Sequence, residues 1–239
     1  MSEFNRENVY TDDQDSLRSY IVKVFTKMGI AMAITAAVAF VCFMNLYDGG
    51  FLYKALVQMP FLMWIAMFAQ IGVCIAFTAG LQKMQKNKVT ILFYAYAALT
   101  GISFSFLPFA YGVDTVFEAF AFAAVMFISC AVIGHNTKVD LSKFSGVMFG
   151  ALISLVLASI VGMIFNFSGF TLMISYVGVI LFLVLTAWDM QKIKAYYYQL
   201  DDYNDMRSKM AIYSAFQLYL DFINIFLYVL RILGSRNRD

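Results

Sequence analysis

Two carboxylates stand within long apolar runs of the chain, a setting in which an acid can hold a proton or a cation. Asp221 alone interrupts residues 210–230, which otherwise lack Lys, Arg, Asp and Glu. It lies 12 residues past Lys209, or about 18 Å along a helix rising 1.5 Å per residue. That is near the middle of a bilayer, where an ionisable side chain is costly enough to be functional by default. Gln217 and Asn224 stand at i−4 and i+3 from it, so three polar groups share one helix face and form a polar seam or line a water-filled path. The competing role for Asp221 is structural: a protonated or hydrogen-bonded acid that only joins helices.

Asp189 ends the longest run, residues 144–188. A helix continuing through Tyr196-Tyr197-Tyr198, a run suited to an interfacial aromatic belt, places Asp189 about 13 Å inside its end. The two acids then approach each other in depth. Two carboxylates in one low-dielectric site cannot both ionise easily, and the pair can hold a single proton near neutrality. That is a physical route to a pH sensor, and both acids are candidates for transient calcium contact. The plainer reading leaves Asp189 at the interface, solvated or paired with Lys192 or Lys194. Lys83, the first base after the second apolar run, is either a countercharge for the pair or an ordinary solvated lysine.

These side chains need elements to position them, and the composition says which kind. The chain has 239 residues, 62% of them hydrophobic and 13% charged, about half the charged share of a soluble domain. Its mean hydropathy is +0.75. A soluble enzyme, a disordered protein and a nucleic-acid binder are excluded. The net charge of +2 gives no field for an anionic polymer. Charge-free runs at residues 28–47, 55–82, 89–113, 119–137, 144–188 and 210–230 suit membrane helices of about 20 residues. Residues 144–188 are too long for one span and break at Asn166-Phe-Ser-Gly169 into a hairpin. Seven helices result, in an all-α integral membrane protein. The runs do not alternate as barrel strands would. Pro60 suits the first turn of helix 2, and Pro108 kinks helix 3 near its end.

The expected organisation is a polar tail at residues 1–20, disordered or on the surface, a transmembrane domain at 21–234 and a short tail at 235–239. The N-terminal stretch is no signal peptide. Lys and Arg in the loops alternate, with 13 on the side of the N-terminus and only Lys54 opposite. The positive-inside rule therefore puts the N-terminus in the cytoplasm. The last helix is expected to span fully.

Helix 5 carries Gly146, Gly150, Ser154, Ala158 and Gly162, a small-residue stripe expected to pack against another helix of the chain, with a dimer face as the alternative. Helix 1 has a weaker version in Gly29, Ala33 and Ala37. Cys42, Cys74 and Cys130 read as buried small hydrophobes, with no CxxC or metal spacing. His135, the only histidine, reads as a solvated interfacial residue.

Several membrane chemistries are excluded by what is missing. Helix 7 has no central lysine for a retinal Schiff base, and one histidine cannot ligate a haem from both sides. The Gly-x-Gly-Asp and Pro-Ala-Leu motifs of intramembrane aspartyl proteases do not occur. Gly101-Ile-Ser103 is too short a match for a membrane serine protease, and His135 stands at a helix end.

Four blocks resemble the Bax-inhibitor (transmembrane Bax-inhibitor-motif) family, in its bacterial branch. They are Thr100-Gly-Ile-Ser-Phe-Ser-Phe-Leu-Pro108, Gly134-His-Asn-Thr-Lys-Val-Asp-Leu-Ser-Lys143, Trp188-Asp-Met-Gln-Lys-Ile193 and Tyr219-Leu-Asp-Phe-Ile-Asn-Ile-Phe-Leu227. The fourth is the most specific, and together they cover nearly all of the chain beyond its N-terminal stretch. The resemblance implies seven helices, the last central and wrapped by the other six, and a calcium-permeable leak gated by pH. The family's paired acids map onto Asp189 and Asp221. Its cationic latch at the end of helix 2 maps onto Lys83, where some relatives have an arginine able to bind a carboxylate in bidentate fashion. Where relatives carry an acid within helix 2, the nearest residue here is Gln70.

The expected activity is thus a passive, pH-sensitive cation leak. It is not an enzyme, has no cofactor, and takes calcium as the permeant ion. Its partners are the bilayer, calcium and protons, with a membrane-protein partner as a further one, and the monomer is the favoured state. No ring of acids or filter loop marks a selective channel. The alternative is a membrane interaction protein, regulating a membrane protease or cell-death partners with no flux of its own. A proton-coupled transporter ranks last, for want of an inverted repeat or broken helices. A bacterial inner membrane is the expected location.

Overall fold

The computed structural model describes residues 3–59, 61–81, 83–165, 168–200 and 205–236, and for residues 3–14, 62–64, 66–67, 163 and 168 the backbone alone. The described elements are helical: α1 (Glu3–Tyr47), α2 (Phe51–Gln58), α3 (Leu62–Gly80), α4 (Lys86–Phe104), α5 (Leu107–Tyr111), α6 (Val113–Asn136), a 3-10 turn (Leu141–Phe144), α7 (Ser145–Phe165), α8 (Ser168–Gln199) and α9 (Met206–Arg236). Six segments are long and apolar enough to cross a membrane, and Phe68–Gly80 within α3 is a shorter apolar helix. The protein is an all-α integral membrane protein with about seven helices.

The helix boundaries follow local chemistry. The polar N-terminal residues from Glu3 are helical and continuous with the rest of α1. Its polar start carries no helix breaker, so the register set by the apolar part continues through it. The second run is split into α2 and α3 around Met59, whose backbone is not helical. A residue before proline avoids the helical region. Pro60 itself and the turn at Asn166-Phe167 lie outside the described residues, as do residues 237–239. Pro108 ends α4 more sharply than a kink, and the helix resumes at Leu107 with the proline in its first turn. α8 runs unbroken through the three tyrosines, and α9 is one unbroken helix of 31 residues.

The chain forms two compact units. The first comprises Met1–Ser105 and Ile193–Phe216. In it α1 lies against α4 along a face made by Val24, Met28, Ala31 and Thr35, all buried. Thr35 fixes that approach, its hydroxyl reaching the carbonyl oxygens of Ala31 and Ala97 at 3.0 and 2.9 Å. Gly101 permits it, since a Cβ there would meet the Thr35 carbonyl and Val38. The weaker stripe expected to pack, Gly29, Ala33 and Ala37, is on the exposed side. Phe77, Phe93 and Phe216 make the aromatic centre of this unit, with Phe77 and Phe216 4.2 Å apart at their ring centroids. Ser103 accepts a hydrogen bond from Gln70 at 3.1 Å and donates to the Leu99 carbonyl, so both groups serve helix packing.

The second unit comprises Phe106–Lys192 and Gln217–Asp239. α6 buries Thr115, Ala119, Ala123, Phe127 and Ala131, one residue per turn. Phe120 and Phe127 pack edge-on against Phe222 of α9, at 5.4 and 5.7 Å. Gly134, at the end of α6, lies directly against the backbone of Ala187 in α8, and a Cβ there would collide with it. Gly178 of α8 similarly receives the ring of Tyr228.

The small-residue stripe on α7 corrects the expected packing. A Cβ added at Gly146 or Gly150 would meet nothing within 4 Å. Ser154 is exposed, its hydroxyl turned back to the Gly150 carbonyl. Ala158 is half-buried, and only Gly162 is covered, by Phe170 and Ile174. Small-residue spacing shows that a close approach is feasible, but the larger residues Met148 and Leu155 are the ones that α7 buries.

Candidate functional site

The second unit brings both intramembrane acids into one polar site. Asp189 comes from α8 and Asp221 from α9, each 6% exposed. The α8 sequence Thr186-Ala-Trp-Asp-Met-Gln-Lys192 sets residues at i−3 and i+3 from Asp189 over one side of the helix. Lys192 puts its ammonium 2.5 Å from the Asp189 carboxylate. The same ammonium lies 4.1 Å from the centroid of the Trp188 ring and 3.5 Å from Gln217 Oε1. A ring face, an amide oxygen and a carboxylate therefore hold one charge where water is scarce.

Asp221 is less well served. Thr186 donates its hydroxyl to it at 3.4 Å, while also donating to the Phe182 carbonyl at 2.8 Å. It is close enough to Asp189 to be repelled by that charge and to Lys192 to be attracted by it. Asp189 thus holds the ammonium in contact, and Asp221 feels its charge from farther away. Burying an ionised carboxylate without full compensation is expensive.

The predicted site residues divide. Asp189, Asp221 and Gln217 come together. Asn224 does not join them, because its amide donates to the Leu220 carbonyl one turn back in its own helix, at 2.8 Å. Lys83 is exposed and belongs to the first unit, and the cation found on Asp189 is Lys192. Asp189 is paired, as the plainer reading had it, yet buried rather than solvated. Thr186 went unnoticed in the sequence, since one threonine in an apolar run carries no signal. Gln191 was also missed. It donates to the Val139 carbonyl at 2.6 Å and accepts from the Leu141 N–H at 3.0 Å, tying the loop after α6 to α8 beside the pair.

The cluster is not built as a resident metal centre. Calcium takes six to eight oxygens, and among the described residues no three His, Cys, Asp or Glu gather in one place. The carboxylates, Gln217 and Thr186 offer oxygens to a passing cation, in competition with Lys192. His135 is half-buried at the end of α6, and the three cysteines are half-buried thiols within apolar helices.

Comparison with known proteins agrees with this architecture. The family profile described as inhibitor of apoptosis-promoting Bax1 matches residues 17–238. The inner membrane protein YbhL of Escherichia coli K12 is 35% identical over 99% of this chain and 100% of its own length. An uncharacterized protein of Borreliella burgdorferi is 35% identical over 92% of this chain and 93% of its own. An uncharacterized membrane protein of Streptococcus pyogenes is 30% identical over 98% and 100%. The chain belongs to the Bax-inhibitor family of membrane proteins.

Proposed function

We propose that the protein is a passive, pH-sensitive, calcium-permeable leak of a bacterial inner membrane, gated by Asp189 and Asp221. It acts as neither an enzyme nor a cofactor protein. The observation that carries the reading is two buried carboxylates within electrostatic reach of each other and of one ammonium, Lys192, which contacts Asp189. With one proton on the pair, the carboxylates and Lys192 sum to neutral. Loss of that proton leaves one net negative charge in a low-dielectric site, which draws in a cation or rearranges α9 against α8. Charge that changes with pH at the junction of two helices is what a protonation switch needs. The groups facing the pair are Lys192, Gln217, Thr186 and Trp188.

The test is calcium entry into liposomes holding a trapped calcium dye, between about pH 6 and 8, with any response read as a property of the coupled pair. Wild-type flux is expected to rise with pH. Asp189→Asn and Asp221→Asn each leave a single carboxylate opposite Lys192, so flux should be low and flat across the interval. Flux equal to that of empty liposomes at every pH would remove the leak.

A second reading, a membrane interaction protein with no flux of its own, is favoured by one observation. The Gly146, Gly150 and Ser154 edge of α7 is open, as a helix from a protein partner would need. Under that reading, deleting residues 2–17 abolishes regulation of the partner. Under the leak reading, the same deletion leaves flux intact.

A further inference from the structure

A second polar site lies in the first unit, and the aspartate pair does not use it. It is a cavity of about 660 Å³ where the polar part of α1, the start of α4, the end of α8 and the start of α9 meet. That volume falls within the roughly 300–1,000 Å³ of small-ligand sites. Among the described residues, four bases line it, Lys23 and Lys27 from α1, Lys86 from α4 and Arg207 from α9, against one acid, Asp15. Lys27 is half-buried and repelled by Lys86. Among the described residues no carboxylate lies within ion-pair distance of Lys23, Lys27 or Lys86. Like charges gathered in a concave, partly desolvated site raise each other's energy, and an anion between them relieves it.

The remaining walls suit one class of anion. Ser16, Ser19 and Ser208 add hydroxyl donors. Lys86 and Arg207 sit in the first turns of α4 and α9, so two helix N-termini open toward the cavity and add partial positive charge. Arg207 is held in position, its guanidinium 4.8 Å from the Tyr197 ring centroid and its Nε donating to the Leu200 carbonyl at 2.8 Å. Tyr20 closes the inner wall, 5% exposed, with its ring 5.6 Å from that of Tyr197. Beyond Lys27, α1 carries no charged residue through Tyr47, so the cavity stands at the boundary between headgroups and hydrocarbon. Basic pockets between helices at that level are where anionic headgroups bind.

We propose that this cavity binds a phosphate-bearing anion, supplied by the headgroup of an anionic phospholipid. The full chain, in neutral detergent, is titrated with phosphatidylglycerol or phosphatidylcholine, and bound lipid is read by native mass spectrometry. Lys27→Gln with Lys86→Gln should weaken phosphatidylglycerol binding by roughly tenfold or more, one charge-assisted contact being worth about that factor. Lys88→Gln with Lys138→Gln, an equal change in net charge outside the cavity, should leave it unchanged. Lys27→Arg with Lys86→Arg should retain binding. The exposed Lys23→Gln should show the same loss in smaller measure, and it has no packing to disturb if the double variant does not fold. Displacement of the lipid by millimolar inorganic phosphate, through the same lysines, would keep the anion site but overturn the lipid as its source. Equal phosphatidylglycerol binding by the cavity variant and the control would overturn the site.

Discussion

Asp189 and Asp221 are equally buried, but their surroundings differ. Asp189 has an ammonium in contact, whereas Asp221 has a shared threonine hydroxyl and the more distant charge of the same lysine. Lys192 is therefore the residue on which both depend. Its replacement by glutamine leaves Asp189 uncompensated whenever it is ionised. Removing one partner of a well-buried pair costs several kcal/mol, and the 19% exposure of the Lys192 side chain reduces this to about 1–3 kcal/mol. The cost is present where the carboxylate is charged and disappears where a proton neutralises it. Thermal unfolding in detergent should accordingly show a larger loss for Lys192→Gln at pH 8 than at pH 6. An equal loss at both would mean that Lys192 acts through packing on Trp188 alone. The acids themselves were legible because a charge in an apolar run stands out in any sequence. Their cation was harder to choose. Lys83, Lys192 and Lys194 all lie near the expected level, and only the helical phase of α8 brings Lys192, three residues on, over Asp189.

At the scale of helices, glycine spacing marks where backbones are able to approach, while the fold decides where they do. Gly134 touches the Ala187 backbone, and Gly150 touches nothing. Gly134→Ala should cost roughly 1–3 kcal/mol, as overpacking does when the obstructing atoms are backbone. Gly150→Ala meets no obstruction and should be neutral or should stabilise by up to about 1 kcal/mol through helix propensity. Unfolding of the two variants under one condition measures the contrast, and equal stability of the two would refute the packing at Gly134. From sequence the α7 stripe looked the stronger packing signal, since it repeats five times where Gly134 stands alone. Repetition reports a continuous smooth face, and a smooth face suits lipid, a second chain or a neighbouring helix equally well. The apolar runs, in contrast, yielded the spans with little error, because hydrocarbon thickness constrains length directly. The division of α2 from α3 was missed because Pro60 was placed inside a helix start, whereas the residue before it leaves helical geometry.

At the scale of the whole molecule, the distribution of charge and the number of crossings must agree, and α3 decides whether they do. It is a 19-residue helix spanning about 28 Å, close to the hydrocarbon thickness, and it is not among the six segments that meet the length and apolarity for crossing. If α3 stopped short, Lys83, Lys86 and Lys88 would emerge on the side opposite the basic N-terminal residues, against the positive-inside rule. If it crosses, 13 bases share one side, α9 completes an odd number of spans and the two termini end on opposite sides. Cysteine labelling distinguishes these cases in a background with Cys42, Cys74 and Cys130 changed to alanine. Tyr53→Cys, Lys88→Cys, Val139→Cys and Arg236→Cys introduce thiols at exposed positions next to successive helix ends. An impermeant maleimide applied to intact cells should label Tyr53→Cys and Arg236→Cys. Lys88→Cys and Val139→Cys should react only after the membrane is opened. Labelling of both Lys88→Cys and Val139→Cys from outside, with Arg236→Cys protected, would mean that α3 does not cross while the later helices do. Protection of Arg236→Cys together with Lys88→Cys and Val139→Cys, with Tyr53→Cys labelled, would mean that one of α7, α8 and α9 does not complete a crossing, and the aspartate pair on α8 and α9 would then not lie along two full spans.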